Sequence, residues 1–130
     1  DMPDNFESPN FFCDKFVIWY ETPEQLATFR SVSDQYFECI DRGGTFREFV
    51  PHGFSKATGM KFVLDYYHLS LEDTYAFGDS NNDLAMLKYA PNSIAMGNSL
   101  PVSLFNEVSH VTTKASEDGI VNALRHFGFI

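Results

Sequence analysis

Two carboxylates at the end of an apolar run have the chemistry of a metal site. Asp79 and Asp83 belong to a segment (76–87) that passes from apolar residues into five polar ones and then into an apolar helical pattern. This order predicts a buried strand whose polar end leads into a helix. Chemistry in α/β proteins gathers at the carboxyl ends of strands, and carboxylates without neighbouring cations suit Mg²⁺. The spacing therefore predicts part of a metal-dependent site.

Two other interpretations of these acids compete with the metal site. Acids often cap the N-terminus of a helix, and the pattern alone supports capping and metal binding about equally. A calcium loop of the EF-hand type is excluded, because Leu84 stands where that loop needs Gly and Ala90 stands where it needs Glu.

Two further polar residues stand at the ends of predicted elements. Lys56 follows Ser55 at the start of a helix, where a cation opposes the helix dipole and indicates a nearby carboxylate or phosphate. A solvated surface lysine is the simpler alternative. Asn98 ends a strand and could offer its amide to the same site, although ordinary turn chemistry also explains it.

The composition is that of a folded, acidic protein. An apolar fraction of 44% is ample for a core, and fourteen Phe are enough for some to belong to an interface. A net charge of −9 disfavours nucleic acid and anionic membranes as partners. Cys13 and Cys39 lack zinc-type spacing and are expected to be reduced thiols of a cytoplasmic protein. No apolar run approaches the roughly 20 residues of a membrane span. The histidines show no metal-ligand spacing: His52, His68, His110 and His126.

The predicted elements change character near Pro51. The pattern of the residues before Pro51 predicts an α+β region that is preceded by a tail or loop over 1–13. Its elements are a strand over 15–20, a helix over 22–30 and two strands over 35–40 and 45–50, joined by hairpin residues 41–44.

After Pro51, helices and strands alternate, which predicts a parallel sheet with helices on its faces. The elements are a helix after Ser55 with Ala57, Met60, Leu64 and Tyr67 on one face, strands over 73–77, 93–96 and 107–112, helices over 82–89 and after Pro101, and a last helix capped by 116–118. The predicted fold class is therefore α/β, a partial Rossmann-like parallel sheet preceded by the end of an α+β domain.

The order of these segments resembles the C-terminal half of Cof-type phosphatases, which are sugar-phosphatase-like members of the haloacid dehalogenase superfamily. The resemblance rests on Ser55-Lys56 with its helix, 76–87, 95–98 and 117–120, and it is strong over 46–130. It implies that residues 1–50 are the C-terminal remnant of an inserted cap domain. Residues 51–130 would be the C-terminal half of the hydrolase core.

The same resemblance implies a role for each polar residue. Lys56 matches the lysine that balances charge on the phosphoryl group and the nucleophile. Asp79 matches the carboxylate that binds Mg²⁺. Asp83 matches a second acid, with a catalytic and a metal-supporting role, which holds the metal's water shell or orients the lysine. Asn82 and Asn98 would be supporting contacts to the phosphate.

One part of the family's pattern is missing from these 130 residues. The nucleophile of the family is the first Asp of an hhhDxDx[TV] segment, and the nearest candidate, 11–16, has Phe16 in place of the second Asp. The resemblance thus implies a fragment of a Mg²⁺-dependent phosphatase that hydrolyses sugar phosphates or similar small phosphomonoesters through an aspartyl-phosphate. The fragment alone is expected to be inactive.

Two other classes of function stay open. The chain could be a non-catalytic binding or scaffold module derived from this fold, or a metal-dependent enzyme of another type. The resemblance also implies that the strand carrying Asp79 lies beside the nucleophile strand in the complete sheet, so this fragment would expose an apolar strand edge. We therefore expect a homodimer or association with the missing N-terminal half.

Overall fold

The computed structural model describes residues 13–130, which divide into two compact units that meet in sequence between His52 and Gly53. The predicted tail over 1–13 lies outside the described residues, apart from Cys13. Cys13 and Cys39 are both free thiols. Within the described part of the chain, no helix has the length and apolar character needed to cross a bilayer.

The first unit is a three-stranded antiparallel sheet with one helix. Its elements are β1 (Phe16–Trp19), α1 (Pro23–Ser33), β2 (Phe37–Asp41) and β3 (Phe46–Pro51), and the strand order is β1-β3-β2. The predicted cap at Thr22 is confirmed, since its hydroxyl accepts the backbone N–H of Gln25 at 3.4 Å. Phe29 of α1 stands edge-on against Phe16 and Phe49, whose stacked rings form the core of this unit.

The second unit contains the elements that position the candidate site. They are α2 (Lys56–Tyr67), β4 (Tyr75–Ser80), α3 (Leu84–Tyr89), β5 (Asn92–Leu100), β6 (His110–Val111) and α4 (Gly119–His126). Its strands run parallel in the order β4-β5-β6, which confirms the predicted α/β class.

Strand β6 is shorter than predicted because side chains replace part of its ladder. Ser109 and Ser93 exchange hydrogen bonds between hydroxyls and backbone: each backbone N–H donates to the other's Oγ, at 2.9 and 3.1 Å. The hydroxyl of Ser109 also donates to the carbonyl of Ser93 at 2.8 Å. The chain is therefore held beside β5 before the regular pairing begins.

The core of the second unit lies between the sheet and its helices. Leu87, Ile94 and Leu104 are almost completely buried, and α2 adds Leu64 to this core. Tyr67 was predicted on the same face of α2 but is 65% exposed. It is the last residue of the helix, and its ring packs against the neighbouring Tyr66 instead.

Candidate active site

The candidate site forms where β4 passes into α3. Strand β4 runs to Ser80, so Asp79 is its penultimate residue and is exposed. A single 3₁₀ turn, 81–83, then leads into α3, and Asp83 closes that turn instead of lying in the first turn of the α-helix. The predicted sequence of strand, acidic turn and helix is confirmed, and it places Asp79 at the carboxyl end of a parallel strand.

Lys56 and Asp83 form an ion pair across this site. Lys56 Nζ lies 2.5 Å from Asp83 Oδ1, and the carboxylate is buried while the lysine side chain is about half exposed. Lys56 is the first residue of α2, where Ser55 caps the helix by accepting the N–H of Thr58 at 3.2 Å. The anion that the position of Lys56 indicated is thus the carboxylate of Asp83.

The second oxygen of Asp83 holds the end of β4. Asp83 Oδ2 accepts the backbone N–H of Asp79 at 3.0 Å and that of Ser80 at 3.3 Å. One carboxylate therefore connects the start of α2, the 3₁₀ turn and the strand that carries Asp79. Such a fully engaged buried carboxylate fixes the local backbone.

These contacts decide the charge of Asp83. Burial alone would raise the pKa of its carboxyl, because a desolvated carboxylate is unfavourable. The hydrogen bond from Lys56, the backbone donors of Asp79 and Ser80, and the charge of Lys56 outweigh burial and lower the pKa below its ordinary value. Asp83 is therefore an anion at neutral pH, and the ion pair is maintained.

Gly78 allows the 3₁₀ turn to fold back onto the strand. A Cβ at this position would lie 2.6 Å from Asp83 Cβ and 2.9 Å from Leu87 Cδ1, both closer than atoms can pack. The missing side chain is thus what lets Asp83 reach the backbone of Asp79. A glycine within a strand pattern often marks such a close approach.

The two asparagines are held by local contacts. Asn82 Oδ1 accepts the hydroxyl of Ser80 at 2.7 Å, inside the turn. Asn98, near the end of β5, accepts the backbone N–H of Ala115 at 2.9 Å through its Oδ1. This contact gives Asn98 the turn-stabilising role that was the simpler alternative. A contact of either amide with phosphate stays a prediction.

Sequence reasoning missed Ser99, which lies behind the site. Its buried hydroxyl donates to the carbonyl of Met96 at 2.6 Å and lies 3.4 Å from that of Gly78, so it bridges β5 and β4. The prediction ended this strand at Met96, whereas β5 continues to Leu100. Gly97 obscured the continuation, since glycine weakens a strand pattern.

The donor set suits a hard divalent cation. Asp79 offers an exposed carboxylate at the end of β4, whereas both oxygens of Asp83 are already engaged. In the described part of the chain, no group of three or more His, Cys, Asp or Glu side chains gathers as a metal site. Mg²⁺ needs only one or two carboxylates when water and phosphate oxygens complete its shell. The exposed carboxylate of Asp79 is therefore compatible with Mg²⁺, and the assignment of Asp79 and Asp83 to a metal site stays a prediction.

Comparison with known proteins assigns the chain to a family. Residues 1–124 match the family described as haloacid dehalogenase-like hydrolases. The chain belongs to this family. This haloacid dehalogenase-like chain is 43% identical to YkrA of Bacillus subtilis over 81 residues, which are 62% of the chain and 31% of YkrA.

Two further relatives have names that state an activity. The 5-amino-6-(5-phospho-D-ribitylamino)uracil phosphatase YitU of Bacillus subtilis is 32% identical over 118 residues, which cover 85% of this chain and 43% of YitU. The subclass IIB sugar phosphatase BT4131 superimposes with a TM-score of 0.73 at 30% identity, covering 82% of this chain and 41% of that protein. The chain thus spans less than half the length of each of these relatives, and the match confirms the haloacid dehalogenase fold.

Proposed function

We propose that this chain supplies the electrostatic half of the active site of a Mg²⁺-dependent phosphatase. The observation that carries the proposal is the carboxylate of Asp83, which holds Lys56 with one oxygen and the backbone of Asp79 with the other. It fixes a cation and a potential metal ligand at one end of a parallel strand. Phosphoryl transfer depends on positioned charges of this kind.

Each residue has a distinct part in this proposal. Lys56 faces the phosphoryl oxygens and offsets their negative charge, and Asp83 keeps the lysine charged and in place. Asp79 holds Mg²⁺, which when bound supplies further positive charge beside the phosphate. Asn82 and Asn98 add hydrogen bonds to the substrate. The nucleophile is a carboxylate outside these 130 residues, and it forms the aspartyl-phosphate.

The substrates we propose are small phosphomonoesters of sugars or related polyols. The named relatives act on a ribityl phosphate and on sugar phosphates. A net charge of −9 and the free thiols of Cys13 and Cys39 support a cytoplasmic enzyme of small metabolites that has no nucleic acid or membrane partner.

The open side of β4 supports a partner for this chain. Among the described strands β4 pairs only with β5, so its other edge presents backbone donors and acceptors. We infer that a strand of the N-terminal half of the enzyme pairs there and brings the nucleophile next to Asp79. Co-expression of this chain with residues encoded upstream of Asp1 tests this pairing by co-purification.

An activity assay tests the proposed function. Residues 1–130 and a product extended upstream along the reading frame are assayed with an aryl phosphate and Mg²⁺. We expect turnover from the extended product alone, and a loss of at least about 10²-fold in kcat for Lys56→Ala or Asp79→Ala. Lys61→Ala is the matched control, because Lys61 lies on the same helix but pairs with the exposed Asp65.

The assay separates the alternatives. Turnover by residues 1–130 that disappears in Asp79→Ala would show that the nucleophile lies within this chain. An extended product without turnover on any phosphomonoester would favour the non-catalytic module.

A further inference from the structure

Ser80 follows Asp79 at the end of β4, and the proposed function gives it no role. Its backbone is fixed twice, because it lies opposite Leu100 in the parallel ladder with β5 and its N–H donates to Asp83 Oδ2 at 3.3 Å. Its side chain is half-buried, and its hydroxyl donates to Asn82 Oδ1 at 2.7 Å. The hydroxyl of Ser80 is therefore a fixed donor to one particular atom of Asn82.

This hydrogen bond determines which end of the Asn82 amide is available to a ligand. An asparagine amide has one oxygen that accepts hydrogen bonds and one NH₂ group that donates two. Because Ser80 occupies the oxygen, the NH₂ group is left for another partner. In the part of the chain that the structure describes, nothing accepts a hydrogen bond from this NH₂ group, although Asn82 is half-buried. A partly desolvated donor without a partner indicates a ligand that accepts hydrogen bonds.

The carboxylate of Asp83 connects this amide to the lysine of the site. One oxygen of Asp83 accepts the ammonium of Lys56, and the other accepts the N–H of Ser80. Ser80 in turn holds the amide oxygen of Asn82. Two donors that suit an anion, the ammonium of Lys56 and the NH₂ group of Asn82, are thus fixed by one buried carboxylate. Donors that are fixed before a ligand arrives lose less conformational entropy when it binds.

We propose that Ser80 is a positioning residue for phosphate binding, whose hydroxyl holds the Asn82 amide so that the NH₂ group donates to the phosphoryl oxygens. This inference rests on the proposed function, in which Asn82 contacts the phosphate. Ser80 donates nothing to the phosphate itself, because its only hydroxyl proton is engaged by Asn82. The phosphoryl group is common to all phosphomonoesters, so the effect of Ser80 does not depend on the sugar or polyol that carries the phosphate.

Calorimetric titration of the extended product with inorganic phosphate, in the presence of Mg²⁺, measures this role without turnover. Ser80→Ala should weaken phosphate binding about three- to tenfold, the range expected for one hydrogen bond. Ser80→Thr should bind phosphate like the parent, because threonine keeps the hydroxyl and accepts the extended backbone of this position, with φ at −153° and ψ at 170°. Ser70→Ala is the matched control and should not change phosphate binding. The Ser70 hydroxyl also supports a 3₁₀ turn, by accepting the N–H of Glu72 at 3.3 Å, but this turn precedes β4 at the end opposite to Asp79.

A double-mutant cycle separates positioning of Asn82 from a general structural role of Ser80. If Ser80 acts through Asn82, Ser80→Ala has no further effect on phosphate affinity once Asn82→Ala is present. Parent-like phosphate binding by Ser80→Ala overturns the proposal, and so does a loss of affinity that is equal with and without Asn82→Ala. A parent that binds no phosphate overturns it as well.

Failure of this inference is distinguishable from failure of the proposed function, which is judged by turnover. An extended product that hydrolyses phosphomonoesters but binds phosphate equally well with Ser80→Ala leaves the function standing and removes only the role of Ser80. An extended product that lacks turnover but shows the expected pattern of phosphate affinities supports the role of Ser80 in a phosphate-binding module.

Discussion

The backbone N–H of Asp79 donates to the side chain of Asp83, with N and Oδ2 3.0 Å apart. The two acids of the candidate site are therefore linked through the strand backbone, which leaves the carboxylate of Asp79 exposed for a ligand. Asp83 offers no free oxygen to a ligand, since one carboxylate oxygen accepts a hydrogen bond from Lys56 and the other accepts backbone N–H groups at the turn. Substitutions at the two positions should consequently have different effects on stability.

Asp83→Asn should lower the free energy of unfolding of residues 1–130 by about 1–3 kcal/mol. Breaking a buried pair typically costs about 3–5 kcal/mol, but Lys56 is half exposed and water recovers part of that cost. Urea unfolding measures the change. Asp65→Asn breaks the exposed pair with Lys61 and should change stability by no more than about 0.5 kcal/mol. Equal effects of the two variants would contradict a structural role for the buried carboxylate.

Gly78→Ala should destabilise the chain by about 1–3 kcal/mol, because the added methyl group overlaps Asp83 and Leu87. The overlap also pushes the turn away from the strand, so the extended enzyme should bind Mg²⁺ more weakly. Thermal unfolding and Mg²⁺ titration of the extended product measure the two effects. An alanine at this position with parent-like stability and Mg²⁺ affinity would disprove the close packing of turn and strand.

The sequence predicted the order of strand, acidic turn and helix around Asp79 and Asp83 better than it predicted the boundaries of the elements. The residues around Asp79 and Asp83 indicated a strand that turns directly into a helix. In an α/β fold, a parallel strand passes through a short polar turn into the next helix, and this requires an apolar run, then polar residues, then an apolar helical pattern. The dipole argument for Lys56 indicated a nearby anion but gave no partner, since Asp83 lies 27 residues away in sequence. Only the resemblance to the phosphatases linked the two.

Contacts through side chains explain what the sequence did not reveal. The bridge from Ser99 to the carbonyl of Gly78 depends on how β4 and β5 lie side by side, which no local pattern reports. Strand β6 was predicted too long because the exchange of hydrogen bonds between Ser93 and Ser109 has no sequence signature. Tyr67 fits the apolar periodicity of α2, yet this periodicity does not show at which residue of the helix burial in the core ends.

Asn98 provides a test that separates a structural amide from a phosphate ligand. Asn98→Asp keeps an oxygen to accept the N–H of Ala115, so stability should change by less than about 0.5 kcal/mol. The same variant loses its NH₂ donor and adds a negative charge, so the extended enzyme should bind phosphate and substrate at least about tenfold more weakly. Asn98→Ala should lose about 0.5–1.5 kcal/mol of stability. Unchanged substrate binding by Asn98→Asp would leave Asn98 with the structural role alone.

The stability of residues 1–130 should fall as the pH decreases below about 6.5, because His110 resists protonation in the fold. Burial and then the neighbouring His126, whose ring stacks on it at 3.9 Å, lower the pKa of His110 below its ordinary value of 6.5. The unfolded chain then binds a proton at a higher pH than the folded chain does. The contribution of His110 to stability is therefore fully present above its pKa in the unfolded chain, and it is lost as the pH falls towards its lower pKa in the folded chain.

Melting temperatures from about pH 7.5 to 5.5 measure this dependence of stability on pH, and His110→Phe should flatten the profile. His68→Asn is the control, since asparagine tolerates the left-handed backbone of this helix end, with φ at 55°. Parallel profiles for the parent and His110→Phe would mean that the stacked histidines do not govern the acid response.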